Sequence, residues 1–305
     1  MPTTYDHIAA NKRRSFFLIF LFVLIIVGLA WTFSEAFGGD SVGFVSMAII
    51  LALIMTVVGY FGGDRVALAV SGAHPITKEQ LPYLYRMVEN LAITAGVPMP
   101  KVYVIQDAAI NAFATGRDPH HASVAVTTGA IEKLENEELE GVLAHEFSHV
   151  QNYDIRFMTL VAVLVGVIVL LADLFWRGHW LGFGGRRRGG NNAGGVLMLI
   201  GLVLIIFAPL FAQLIKLAVS RKREFLADAS GALLTRYPDG LANALEKIGR
   251  AGAANKLVRT SDATAHLFIA NPFGSVARGV HKLFSTHPPI EERVARLRQM
   301  GSVGK

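Results

Sequence analysis

The chain has 305 residues, 52% of them hydrophobic and 17% charged, with a mean hydropathy of +0.44, a balance that a wholly soluble domain rarely shows. It contains no cysteine, which excludes disulfides and thiolate metal sites and leaves histidine and carboxylate to hold any zinc. The formal charge of +6 gathers beside apolar runs, as in Lys12-Arg13-Arg14 and Arg221-Lys222-Arg223, so juxtamembrane charge accounts for it and nucleic-acid binding is not expected.

Residues 1–15 are polar and end in that first basic cluster; Phe16 to Phe33 then runs without a charge, long enough to cross a hydrocarbon layer of about 30 Å. A second apolar run, Val42 to Phe61, follows a linker holding Glu35 and Asp40. A cleaved signal peptide would have a shorter apolar core and a small-residue cleavage site, so residues 1–63 read as a transmembrane hairpin. Basic residues before the hairpin, with none in its linker, put the N-terminus in the cytoplasm.

Residues 64–156 form a polar segment of mixed character. Glu79 to Ala95 carries Leu81, Leu84, Val88 and Leu91 at helical spacing, and Pro98 and Pro100 stop that helix. Lys101–Ile105 and Ala122–Thr127 read as strands, with Asn111–Gly116 as an edge strand between them. A short helix follows at Ala130–Leu134 and a longer one at Glu137–Tyr153. Residues 157–217 hold a second apolar hairpin, Phe157–Trp176 and Val196–Leu217, with Pro209 as a kink and the glycine-rich loop Gly182–Gly195 as its connector. No strand precedes those glycines to make a phosphate loop. Residues 218–305 return to polar character, with helices expected at Arg221–Leu234, Leu241–Arg250 and Ile290–Met300. The expected fold is an α+β membrane protein, mainly helical, with a small β-sheet and about four transmembrane helices.

Within the Glu137–Tyr153 helix stands His145-Glu146-Phe147-Ser148-His149. Histidines four residues apart lie on one helical face, so both imidazoles reach a single ion, and a glutamate beside the first is placed to take a proton from water. This is the zinc-protease signature, and a catalytic zinc needs a third protein ligand. Arg223-Glu224-Phe225-Leu226-Ala227-Asp228 supplies one: Glu224 is the expected third ligand to one Zn²⁺ per chain. Asp228, on the same face, is expected to accept a hydrogen bond from a liganding histidine, His145, and fix its tautomer. Membrane topology agrees, because the histidines precede the third apolar run and Glu224 follows the fourth, so two crossings return the chain to the face it left. By the N-terminal charges that face is cytoplasmic, although Arg177 and Arg186–Arg188 fall in the loop placed outside, against the same tendency.

The chain resembles the HtpX-type membrane zinc metalloproteases, relatives of the CAAX prenyl-proteases, over nearly its whole length. The resemblance rests on the two N-terminal spans, Asn111-Ala-Phe-Ala-Thr-Gly116, His145-Glu-Phe-Ser-His149 with Asn152 and Asp154, Glu224-Phe-Leu-Ala-Asp228, and Ser285-Thr-His-Pro-Pro289 with Glu291 and Arg293. It implies a zincin-like, multi-pass, heat-shock-linked endopeptidase of the bacterial inner membrane, its active site facing the cytoplasm. Its expected substrates are misfolded or damaged membrane proteins, and it is expected to cleave itself. It also implies that His287 faces the site and stabilises the oxyanion with Arg293 nearby, whereas the residues alone allow His287 a capping role before the last helix. Asn111, Ala112, Phe113, Ala114 and Thr115 are expected to bind substrate as an added strand, through main-chain hydrogen bonds that tolerate many sequences.

Two other classes compete with this reading. An intramembrane protease would bury the His-Glu-x-x-His inside an apolar span, but Gln151, Asn152, Asp154 and Arg156 follow it at once. A non-enzymatic scaffold with structural zinc would want a fourth protein ligand, and the sequence offers no obvious one.

Overall fold

The computed structural model describes residues 4–37, 41–166, 220–252, 255–258, 263–273 and 288–302. Helix α1 (Thr4–Phe37) and helix α2 (Ser41–Val70) form the N-terminal hairpin. At 1.5 Å per residue, the 34 residues of α1 reach about 50 Å, well beyond the hydrocarbon layer, so its basic N-terminal turns continue as helix past the apolar run. Helix α2 also outlasts its apolar run. It continues through Asp64 and Arg65 to Val70, because Ala67 and Leu68 pack in a cluster with Phe113, Met158 and Phe268. Its Val45–Val70 portion is long and apolar enough to cross a membrane. Most of the second expected hairpin, residues 167–219, lies outside the described residues, so the expectation of four crossings is untouched by them.

Four short strands make one sheet in the order β1-β2-β4-β3: β1 Ala73–Pro75, β2 Lys101–Ile105, β3 Ala112–Gly116 and β4 Ala122–Thr127. Strands β2 and β4 are parallel, while β1 and β3 run antiparallel to their neighbours. Both faces of the sheet are covered. Val102, Val104, Val124 and Val126 meet the helical core, and Phe113 and Ala125 meet α2 and the helix at residues 154–166. Burial on both sides is why β4 carries apolar residues on both faces, Val124 and Val126 on one and Ala125 on the other.

Helix α3 (Pro82–Ala95) starts three residues later than its periodicity suggested. Pro82 bars the residue before it from helical geometry, and Leu81 accordingly sits at φ −138°, ψ 73°. After α4 (Thr128–Lys133) comes α5 (Asn136–Gln151), opened by a capping box in which Glu138 accepts from the Glu135 backbone N–H at 2.8 Å. Helices α6 (Arg221–Thr235), α7 (Pro238–Ala251) and α8 (Ile290–Ser302) complete the described elements. Leu139, Val142, Leu143, Phe147 and Val150 of α5 join Leu84, Val88, Leu241, Leu245 and Leu297 in one core, so α5 is enclosed on every side.

Helices α5 and α6 cross closely because position 231 is glycine. A Cβ there would stand 2.9 Å from the His145 backbone nitrogen and 3.1 Å from its Cα. This contact brings Glu224 of α6 level with the histidines.

Candidate metal centre

His145 and His149 lie one turn apart on α5, with ring centroids 4.9 Å apart and planes nearly perpendicular. Their Nε2 atoms are 3.3 Å apart. Glu224 completes a triangle, its carboxylate oxygens 4.0 Å from His145 Nε2 and 3.6 Å from His149 Nε2. A tetrahedral ion with bonds of about 2.0–2.1 Å holds its ligand atoms about 3.3 Å apart, so these three residues could hold a metal such as zinc. All three are buried. Charge agrees with spacing: the buried carboxyls of Glu146, Asp154, Glu224 and Asp228 outnumber the buried guanidiniums of Arg223 and Arg293, which favours a cation among them.

Each histidine has its outer nitrogen occupied. Asp228 Oδ1 stands 2.9 Å from His145 Nδ1, the arrangement the sequence suggests for that pair. Asp154 Oδ2 stands 3.1 Å from His149 Nδ1, a link that sequence reasoning missed. Such partners fix which nitrogen faces the metal and raise its basicity. Burial opposes a charge on Asp228. Even so, Arg293, donating from Nε and Nη2 at 2.9 and 2.7 Å, together with His145, holds the carboxyl down at about 2. Burial also opposes a second proton on His149, but its hydrogen bond to Asp154 and the negative charges of Asp154, Glu224 and Glu146 push it up to about 9, and a metal ion on Nε2 would take that proton's place.

Glu146 sits on the same turn. Its Oε2 accepts the Ala114 backbone N–H at 2.9 Å, which ties the carboxyl to β3. Its Oε1 is buried and has no hydrogen-bond partner among the described residues. Burial, with the Glu224 charge added, pushes its pKa up to about 8, and a cation beside it would draw that value back down.

Arg293, expected to lie near the site in a supporting place, stands directly behind the ligands. It is fully buried in a bidentate pair with Asp228, donates to Ile269 O at 3.1 Å, and lies 3.9 Å from Glu224. His287 falls outside the described residues. The expected substrate strand is present as β3, one residue further along, at an edge of the sheet. That edge already has partners. Ala112 O accepts from Ile269 N at 3.0 Å, Asn111 Nδ2 donates to Ala270 O at 3.0 Å, and Gly116 N donates to Thr159 at 3.2 Å. Phe113 faces the opposite way, against Phe268, and the Thr115 hydroxyl pairs with that of Thr159 at 2.8 Å.

Residues 78–301 match peptidase family M48. The chain belongs to that family. It is therefore a metallopeptidase, hydrolysing peptide bonds. It is 47% identical over 98% of both chains to a protein named protease HtpX homolog from Caldanaerobacter subterraneus subsp. tengcongensis. It is 48% identical to another of that name from Tropheryma whipplei, over 98% of this chain and 99% of that one. Among solved structures it resembles Ste24p of S. mikatae, with a TM-score of 0.50 at 19% identity. The match covers 95% of this chain and 65% of that one, and this likeness is one of fold.

Proposed function

We propose that this M48 peptidase is a zinc endopeptidase of the bacterial inner membrane that cleaves misfolded or damaged membrane proteins at the cytoplasmic face, and that it also cleaves itself. The observation that carries the reading is the buried His145–His149–Glu224 triangle with an unengaged glutamate oxygen beside it. The cytoplasmic assignment draws support from Asn11, which touches Asp154 beside His149 at 2.7 Å and so puts the metal centre level with the basic N-terminal turns of α1. The M48 relatives named HtpX support the protease role; the quality-control substrate rests on the wider resemblance.

His145, His149 and Glu224 would hold zinc, which would supply a Lewis acid to polarise the scissile carbonyl and lower the pKa of water. Glu146 takes the proton from the attacking water on Oε1, its Oε2 staying on Ala114 N–H. It then returns that proton to the nitrogen of the departing amine. His145 and His149 keep their Nε2 lone pairs inward because Asp228 and Asp154 hold the Nδ1 protons. An extended substrate adds along β3 by displacing Ile269 from the Ala112 carbonyl, through main-chain bonds that tolerate many sequences, as suits a protease of damaged proteins.

The test is Glu146→Gln in the full chain purified without chelator. It is expected to retain one zinc per chain while cleavage of casein, and of the chain itself, is lost; full activity in that variant would refute the mechanism. Activity in wild type that survives complete zinc removal would refute the zinc reading.

A further inference from the structure

Asn11 lies within the polar N-terminal part of α1, yet it is 2% exposed. A buried amide has to be hydrogen-bonded to be tolerated, and its Nδ2 donates to Asn152 O at 2.9 Å and to Asp154 Oδ1 at 2.7 Å. The acceptors are 141 and 143 residues away in sequence. The other Asp154 oxygen is the one that meets His149 Nδ1 at 3.1 Å. Asp154 Oδ1 also lies 3.4 Å from Nη1 of Arg223, next to Glu224 on α6. A carboxylate turns easily about its last side-chain torsion, so the groups on Oδ1 set where Oδ2 points.

The turn that carries Asp154 is itself held by α1. Tyr153 has φ +58°, a left-handed conformation that a non-glycine residue keeps only when its surroundings demand it. The Lys12 ammonium stands 4.6 Å from the Tyr153 ring centroid, and the Arg156 guanidinium lies 5.2 Å from it. Asn152, Tyr153 and Asp154 are thus each gripped by Asn11 or Lys12. Together these contacts connect the membrane helix to a metal ligand through a single intervening carboxylate.

We infer that Asn11 is a positioning residue of the metal centre, aiming His149 through Asp154, so that zinc affinity depends on this one contact of the first helix. This rests on the reading of His145, His149 and Glu224 as the zinc ligands.

The experiment uses the full chain in detergent micelles. Zinc affinity is measured by competition with a chromophoric chelator, and the ligand field by the absorption of the Co²⁺-substituted protein. Asn11→Leu removes both donors at similar size and is expected to weaken zinc binding about 10–100-fold and to alter the Co²⁺ bands. Phe22→Ala, which opens the packing of α1 away from the turn, is expected to lower the melting temperature while zinc affinity stays within about twofold. In an Asp154→Ala background, Asn11→Leu is expected to add less than about threefold, because the two share one path. Should Asn11→Leu fail to insert, Asn11→Gln carries the comparison: it keeps the amide and is expected to bind zinc more weakly than wild type but with the wild-type Co²⁺ band pattern.

Three results overturn the proposal: zinc affinity of a folded Asn11→Leu within about twofold of wild type, an equal loss in Phe22→Ala, or an undiminished effect without Asp154. If wild type holds no zinc, or His149→Ala holds it equally well, the ligand reading itself fails. If those controls behave and Asn11→Leu is silent, only the positioning role fails.

Discussion

The Arg293–Asp228 pair offers a perturbation whose size the structure sets. Arg293 is 1% exposed and Asp228 3% exposed; the guanidinium donates twice to the carboxylate and once to Ile269 O. Arg293→Met keeps the stem and removes the charge, leaving Asp228 buried with His145 alone. The Asp228 carboxyl stands at about 2 against an ordinary 3.8. At about 1.4 kcal/mol per pKa unit, its surroundings favour the ionised form by roughly 2 kcal/mol. A depressed carboxyl contributes that stability fully above its unfolded pKa and loses it as pH falls from about 4 toward about 2. Stripping one partner from a buried pair costs about 3–5 kcal/mol, because the remaining charge is uncompensated. The two figures bracket a fall in melting temperature of about 5–20 °C, at about 2–4 °C per kcal/mol for a domain of this size. Thermal unfolding followed by circular dichroism in detergent measures it. The difference from wild type should be largest near neutral pH and narrow as pH falls, because burial lifts the unpaired Asp228 carboxyl above its unfolded value and protonation relieves the variant first. Arg293→Met with Asp228→Leu should recover at least half of the loss, since no unpaired charge then remains. A single variant melting within about 2 °C of wild type, or a double variant no better than the single, would refute the reasoning.

Gly231→Ala puts a methyl 2.9 Å from the His145 backbone, which has no soft side chain to yield, so α6 has to move and take Glu224 with it. It should cost about 1–3 kcal/mol by calorimetry and weaken zinc in chelator competition; wild-type values for both would contradict the close crossing. Ala114→Pro deletes the N–H that holds Glu146 Oε2, and a misplaced base should lower kcat/KM on unfolded casein about 100-fold with zinc content unchanged. Normal turnover in that variant would remove β3 from the mechanism.

The elements that carry the chemistry were legible because their signals are local. The α5 ligands follow from a spacing of four on one helix, and Glu224 with Asp228 from the same spacing on α6. Strands β2 and β4 follow from runs of β-branched residues bounded by turn residues. What escaped is what depends on distant partners. Strand β1 is three residues long, contains a proline, and exists only by pairing with β2. The extension of α2 to Val70 depends on packing against Phe113 and Met158. The link from Asp154 to His149 spans only five residues but requires the left-handed turn at Tyr153, which nothing in that tyrosine foretells. Asn11 looked like one more polar residue before a membrane run, because its acceptors lie more than a hundred residues away.

On the proposed mechanism strand β3 would have two tasks, holding the base and receiving the substrate. Its Ala114 N–H fixes one oxygen of Glu146 and leaves the other buried and unengaged; its Ala112 carbonyl is taken by Ile269. If substrate adds along this edge, it meets the Ala112 carbonyl only by displacing residue 269, which is anchored through Ala270 to Asn111 and through its carbonyl to Arg293. Arg293 in turn holds Asp228, and Asp228 holds His145. Peptide entry at β3 therefore pulls on a chain of hydrogen bonds that ends at a metal ligand, while the base stays pinned to the same strand. A well-packed folded protein has few extended segments free to make that exchange, and an unfolded one has many. On the proposed reading, discrimination in favour of damaged substrates would follow from main-chain geometry, without a pocket for any particular side chain.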